Sequence, residues 1–431
     1  MQARLPATRR RRAVGLAIAF GVMVVLAGCS APDAPASSSA AGSSAAGSSA
    51  AGSSGGWNAT LAAARGQTVN LWMYGGDPQG NAYVDNVLAP AAASLGVTLR
   101  RVAISDTKDV VNRILAEKQA GRSDGSVDLV WVNGGNFATG KQAGIWDCGW
   151  AQSLPNSQYL DPKDPLLSND FGVSIDGCEA PWHKAQFTLV YDSARVTDPP
   201  RTIPALLIWA KVHPGRFTYP APPDFTGSVF VRQALYGVAG GFAQIPSTYS
   251  STAFNKVTPP LYAALHDVAP SLWRQGATYP RDSVALDELF ADGQVDFTMT
   301  YGPATLTNLV AKGTFPTTTR VLTLDGGTVG NASFLAMPAN AADKAGAQVV
   351  ANLALSPAQQ LAKANPSTWG QFTVLDQTRL SANERAAFEA LPISPVVPAY
   401  PVLSRDANPE LSSAWVTPID EGWRRSVLAA R

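Results

Sequence analysis

From Thr68 to Val132 the hydrophobic pattern switches repeatedly between the period of a strand and that of a helix, and this stretch constrains the fold more than any other. Thr68 to Met73 (Thr-Val-Asn-Leu-Trp-Met) is a β-rich run closed by Tyr74-Gly75-Gly76-Asp77-Pro78, and helix-like spacing follows from Tyr83 to Leu95. Val97 to Ala103 reads as a second strand. Thr107 to Ala120 reads as an amphipathic helix with Val110, Val111, Ile114 and Leu115 on its apolar side and a stop at Gly121. Val127 to Val132 is a short apolar strand that ends in the polar loop Asn133-Gly134-Gly135-Asn136. A β-α-β-α-β order implies a mainly parallel sheet with helices on both faces, because each helix carries the chain back to start the next strand in the same direction. Ligands of such sheets lie outside the carboxyl ends of the strands. Tyr74, Gly75 and Asp77, and Asn133, Gly134 and Asn136, stand at such ends and are candidate ligand contacts.

A second set of elements begins at the strand-like run Phe187 to Asp192. Ile203 to Val212 looks helical and Gly215 to Pro220 looks like a short strand. Pro222, Pro223 and Asp224 break the chain before Gly227-Ser228, the start of a helical stretch through Tyr236. Val295 to Tyr301 and Ala332 to Met337 read as strands, the latter leading into a helix-like Ala341 to Leu355. About 375 residues follow Trp57, more than one core usually serves, so two α/β lobes are expected. The division read from these elements is residues 57–190 for the first part of lobe one and 191–328 mainly for lobe two. Residues 329–431 cross back, with C-terminal helices shared between lobes.

The N-terminus carries a different kind of information. Arg9 to Arg12 precede about fourteen apolar residues, Ala13 to Leu26, and then Leu26-Ala27-Gly28-Cys29. These are the charged, hydrophobic and cleavage regions of an export signal, and the run is too short to span a bilayer core of roughly 30 Å. The cysteine position resembles the lipobox of bacterial lipoproteins, so residues 1–28 are expected to be removed and Cys29 to be acylated, which anchors the protein by lipid outside the cytoplasm. Residues 29–56 repeat Ala-Ala-Gly-Ser-Ser from Ala40, Ala45 and Ala50 and offer no large apolar side chain before Trp57, the composition of a flexible leash with an r.m.s. span on the order of 30 Å. The formal net charge of +1 includes the five arginines of the signal, so the remaining chain has an excess of four negative charges. With no basic run left, a nucleic-acid partner is not expected. Cys148 and Cys178 are the only cysteines after Cys29, and in an exported chain they are expected to form a disulfide.

Six segments carry a family resemblance. Asn70 to Asp77, Asp124 to Asn133, Trp209 to Pro220, Pro223 to Ser228, Gly293 to Pro303 and Met337 to Gly346 resemble, in this order, extracytoplasmic solute-binding proteins of ABC importers, and within them the YnjB-like branch. The resemblance implies a type II periplasmic-binding-protein fold, a solute trapped between two closing lobes and delivery to a permease and its ATPase. It also implies no catalysis, no cofactor and a monomer. The solute implied is a small organic molecule, with a thiamine-like compound or another organic amine suggested by the branch.

The residues themselves leave the charge of that solute open. Tyr219, Tyr301 and Trp369 lie at strand ends or in loops beside Gly or Pro and, with Tyr74, could form an aromatic wall near Asp77 and Asp224, suited to a cation. Gly227 and Ser228 at a helix start offer backbone N–H groups, which suit an anion. Trp72, Trp131 and Phe187 sit in apolar runs and read as core. Chemistry of other kinds finds little support. Gly121-Arg122-Ser123-Asp124-Gly125 matches a hydrolase pattern, but a helix precedes it and a strand follows, the reverse of what a nucleophile elbow needs. His183, His213 and His266 have no metal-ligand spacing. An exported hydrolase or wall-associated lipoprotein enzyme is the alternative, to be recognised by a Ser, a His and a carboxylate within hydrogen-bond reach. An adhesion scaffold would lack a cleft.

Overall fold

The computed structural model describes residues 51–404 and 407–429. The export signal, Cys29 and the leash up to Ala50 lie outside the described residues. The first element, helix Ala51–Ala64, begins inside the last Ala-Ala-Gly-Ser-Ser unit, where coil is expected as far as Gly56. Trp57 and Leu61, one helical turn apart, pack on the first core, and this docking carries the helix back through residues of low propensity.

Among the described residues ten strands follow: β1 (Thr68–Tyr74), β2 (Thr98–Ile104), β3 (Leu129–Val132), β4 (Asn169–Asp170), β5 (Val173–Ser174), β6 (Glu179–Gln186), β7 (Thr188–Asp192), β8 (Phe297–Thr300), β9 (Thr319–Leu322) and β10 (Gly330–Ala336). The first sheet has the order β2-β1-β3-β10-β6. Its β2, β1 and β3 are parallel, as the alternation of periods requires. β10 enters antiparallel to both β3 and β6. Apolar residues fill both faces of this sheet: Val110, Val111 and Ile114 of helix Thr107–Gln119 pack with Val130 and Val132 on one side, while Leu71, Leu129 and Leu335 face the other core.

The second sheet, β8-β7-β9, is antiparallel at both pairings, where parallel pairing is expected. β7 enters the second lobe as the direct continuation of β6, whereas β8 and β9 run back toward the crossing after intervening helices. The two-lobed α/β class stands, and the direction of pairing differs. Gly215 to Pro220 is in no sheet either. Phe217 and Tyr219 alternate into the second core as strand residues would, but the segment accepts single bonds from Trp273 N to Phe217 O and from Asp296 N to Arg216 O instead of a ladder.

Two crossings between the lobes run side by side. Phe187 N donates to Val329 O at 2.8 Å, and Gln186 Nε2 donates to Thr328 O and Oγ1, each at 2.7 Å. Gln233, buried in helix Phe225–Ala239, clamps the second crossing by donating to Gly327 O and accepting from Val329 N. The chain passes between lobes a third time after helix Ala382–Glu389. Phe388 belongs to the first lobe's core, whereas Val396, Trp415, Ile419 and Trp423 belong to the second.

Cys148 and Cys178 are joined in a disulfide, and Cys178 is buried. The loop they close has a sequence separation of 30, so replacing both by alanine is expected to cost about 3 to 4 kcal/mol by the loop-entropy relation. Denaturant unfolding of the double variant against the oxidised protein measures this.

Candidate functional site

The lobes meet at the end of a two-residue hairpin. β4 and β5 pair Asn169 with Ser174 and Asp170 with Val173, leaving Phe171 and Gly172 as the turn. Both have positive φ, 45° and 71°, as a type I′ turn requires. Glycine adopts this readily; phenylalanine does so under strain, which here thrusts its ring out of the first lobe. The ring lies under the Arg232 guanidinium of the second lobe, 5.8 Å from its centroid, and 6.4 Å from the Phe225 ring, which in turn stands 5.3 Å from Tyr301.

Behind the turn, Asp170 is fully buried and accepts from Gly134 N at 2.7 Å through Oδ2, while Oδ1 has no hydrogen-bond partner among the described residues. Gly134 is thus a positioning group at the end of β3. Glu179, the first residue of β6, is also buried, and neither of its carboxylate oxygens has such a partner. Burial, and then the charge of Glu410 across the interface, pushes the Asp170 carboxyl well above the ordinary carboxylate range. Burial and then Asp170 do the same to Glu179.

From the second lobe comes a closed network. Arg232 grips Glu410 with two bonds, Nε to Oε2 at 2.8 Å and Nη2 to Oε1 at 3.0 Å, and its Nη1 donates to Ser228 Oγ at 2.6 Å. Ser228 donates on to Asp420. Burial opposes the charge of Arg232, but the Glu410 carboxylate outweighs it and holds the guanidinium above its usual range. The Tyr301 hydroxyl, buried and unpartnered among described residues, is raised by burial first and then by Glu410, with Asp170 adding to it.

Several candidates from the sequence sit around this centre. Tyr74 is 41% exposed at the end of β1; burial of its hydroxyl and then the carboxylates of Asp282, Asp224 and Asp77 raise its pKa, which puts residues of both lobes around one mouth. Gly75 N bonds Ile104 O and sits against Ala103. Asp77 caps helix Pro78–Tyr83, accepting from Gln79 N and Gly80 N, and accepts Trp369 Nε1 at 2.7 Å. Asn133 donates to Ala332 O, and Asn136 lies half-buried in helix Gly135–Gln142, an element that the expected polar loop conceals.

Three expectations are corrected. Tyr219 is fully buried in the second core, accepting from Trp423 Nε1 and packed on Phe230, so it is no part of a cleft wall. The N–H groups of Gly227 and Ser228 are taken by the side chain and carbonyl of Asp224, which caps helix Phe225–Ala239, and so are not free for an anion. Trp369 is fully buried as well. A bulge in the β6–β10 ladder beside Ser333 sets Trp182 and His183 against the same neighbours, and both rings pack on Trp131 and Trp369 at centroid distances of 5.1 to 5.4 Å. Trp131, expected in the core, is only half-buried there. The sequence reading missed Asp170, Phe171, Glu179, Arg232 and Glu410; a Phe-Gly turn and one arginine inside an apolar helix were the available signals.

His183 lies among tryptophans, His213 stacks on Trp209 and His266 is exposed on another helix, so the histidines are scattered. Among the described residues no group of His, Cys, Asp and Glu is arranged to hold a metal ion, and no helix is long and apolar enough to cross a membrane.

Two lobes joined by paired crossings, with polar groups converging where they meet, define a solute-binding protein, and the chain belongs to the bacterial extracellular solute-binding protein family, whose model matches residues 86–392. Its members are the solute-binding components of ABC importers. Among individual proteins, it is 38% identical to Protein YnjB of Escherichia coli (strain K12) over 371 residues, 85% of this chain and 92% of that one. A solved ABC transporter protein from Clostridium perfringens shares the fold with a TM-score of 0.59 at 15% identity, covering 84% of this chain and 99% of its own. A periplasmic thiamin binding protein does so at 0.54 and 14%, covering 84% and 96%.

The raised carboxyls make a signed prediction. A buried acid that holds its proton more tightly in the folded than in the unfolded chain stabilises most at low pH, and that contribution is lost as pH rises from about 4 through the folded-state value. Stability of the unliganded protein should therefore fall between pH 5 and pH 8, and Asp170→Asn should flatten the fall; urea midpoints at both pH values for both proteins check this.

Proposed function

We propose that this protein is the receptor of an ABC importer that captures a small organic solute between its lobes, with Cys29 as the lipid anchor and a membrane permease with its ATPase as recipient. The observation that carries the reading is the nearness, from both lobes, of buried polar groups without hydrogen-bond partners among the described residues: Asp170 and Glu179 from one side, and Tyr301, which feels the charge of Asp170, from the other. Buried polar groups in folded proteins are ordinarily satisfied, and a set left open at the junction of two lobes is what a solute would complete. The proposed contacts extend outward to Tyr74, Asp77 and Asp224 at the mouth. A thiamine-like compound or another organic amine is the class we favour. A solute that touches both lobes binds the closed form better than the open form, and that difference drives closure.

The receptor reading is tested by thermal shift and tryptophan fluorescence on protein incubated with thiamine, amines, amino acids and sugars. A ligand present at a hundred times its Kd should add about 2.7 kcal/mol of stability and be recovered chemically unchanged. Conversion of the bound compound to a product would refute the reading.

A further inference from the structure

We propose that Phe171 is a latch that holds the two lobes together in the protein without solute. The inference concerns the empty protein and stands whichever solute the cleft takes. Phe171 is only 4% exposed, yet it is part of none of the apolar cores within the lobes. It sits on the turn of a two-residue hairpin of the first lobe, and its burial comes from what stands on either side of it. On the first lobe its ring lies against Gly134, where a Cβ would come within 3.2 to 3.3 Å of the ring atoms. On the second lobe it meets the Arg232 guanidinium at 5.8 Å and the Phe225 ring at 6.4 Å. Gly172, the other turn residue, sits against Ser412 at the start of helix Ser413–Trp423. Both residues of the turn thus touch the opposite lobe.

The seat on the second lobe is in place before the ring arrives. Arg232 is held at Nε and Nη2 by Glu410 and at Nη1 by Ser228, which fixes the plane of its guanidinium and leaves a face for an aromatic ring. Phe225, the first residue of helix Phe225–Ala239, is 48% exposed and stands at the surface of its lobe. The hairpin itself does not call for a phenylalanine. A φ of 45° suits glycine, and a larger residue persists there only where its surroundings fix it, as happens at clamps and switch regions. Parting the lobes returns the ring to water. Burial of one phenylalanine is worth roughly tenfold to a hundredfold in an equilibrium, here that of closed over open. Asn308 Nδ2 of the second lobe donates to Pro366 O of the first at 2.5 Å, a second tie between them. A solute must wait for these contacts to part, and its apparent affinity is lowered by the fraction of time the lobes are shut.

Small-angle X-ray scattering of the full chain without solute tests the latch. Phe171→Gly removes the ring and suits the positive φ, so it should raise the radius of gyration while the helical circular dichroism stays unchanged. Phe225→Ala, made at an exposed position of the other lobe, should raise the radius as well. The double variant should open no further than the larger single effect, because both substitutions remove the same contact. Ile208→Ala, at a second-lobe residue that is 64% exposed, should leave the radius where it is. An unchanged radius in Phe171→Gly would overturn the inference. A rise that comes with loss of helical signal would also overturn it, since the ring would then be supporting the fold of a lobe. So would a double variant whose effect is the sum of the two single ones. Each of these outcomes leaves the receptor reading standing, because that reading is tested with ligands.

Discussion

Every element of the cleft depends on two glutamines. Where the chain leaves the first lobe and where it returns, the two strands of backbone run together for only a few residues, and Gln186 and Gln233 tie them with side-chain bonds to Thr328, Gly327 and Val329. Gln233 with both ends of its amide engaged, and Gln186 through its Nε2 group, fix the relative height of the two crossings without filling the space between lobes with apolar packing. Asn408 adds a third layer, donating its N–H to Thr328 O and accepting from Gly330 N through its carbonyl. The lobes are thus joined by a narrow, directional, hydrogen-bonded strip, and the broad apolar cores stay on either side of it.

The charges are divided unequally across the junction. The second lobe settles its own: Glu410, Arg232, Ser228 and Asp420 form a chain in which each charge has a partner. The first lobe leaves its acids open. Asp170 is oriented by a backbone N–H, and Glu179 by its place at the start of a strand, so neither needs a side-chain cation to hold its direction. Fixed polarity of this kind costs stability in the empty protein and is then available to whatever completes it. The strained φ of Phe171 belongs to the same economy, since the ring reaches Arg232 only because the backbone turns there.

The parallel half of the first sheet was readable from the chain because strand and helix periods alternate cleanly between Thr68 and Val132, and the strand-end loops at Tyr74 and Asn133 were readable with it. β6 was not. Glu179-Ala-Pro-Trp-His-Lys-Ala-Gln186 is buried along nearly its whole length yet carries Glu, His, Lys and Gln, so neither alternation nor a continuous apolar run marks it. Arg232 and Glu410 pair across a sequence separation of 178, a contact that local patterns do not encode. Tyr219 misled for a related reason: Gly and Pro neighbours mark a loop, but a loop crossing a core still buries its rings. In the second sheet β7 and β8 were readable as apolar runs, but β9, only four residues long, and the antiparallel direction of pairing were not, because long helical stretches separate the strands.

The discontinuity of the first lobe has a consequence for how the protein comes into being. Its sheet draws β1, β2 and β3 from the start of the body, β6 from the middle and β10 from beyond the whole second lobe, with Phe334 set beside Val132 across roughly 200 residues. The second sheet, by contrast, lies entirely within Thr188 to Leu322. A chain emerging from its N-terminus therefore holds three matched strands that must wait, with β3 presenting an unpaired edge, until most of the polypeptide has followed. The first lobe's sheet cannot close until the sheet of the middle lobe has been made, and the second lobe in turn takes Val396, Trp415, Ile419 and Trp423 from the C-terminal segment to finish its core.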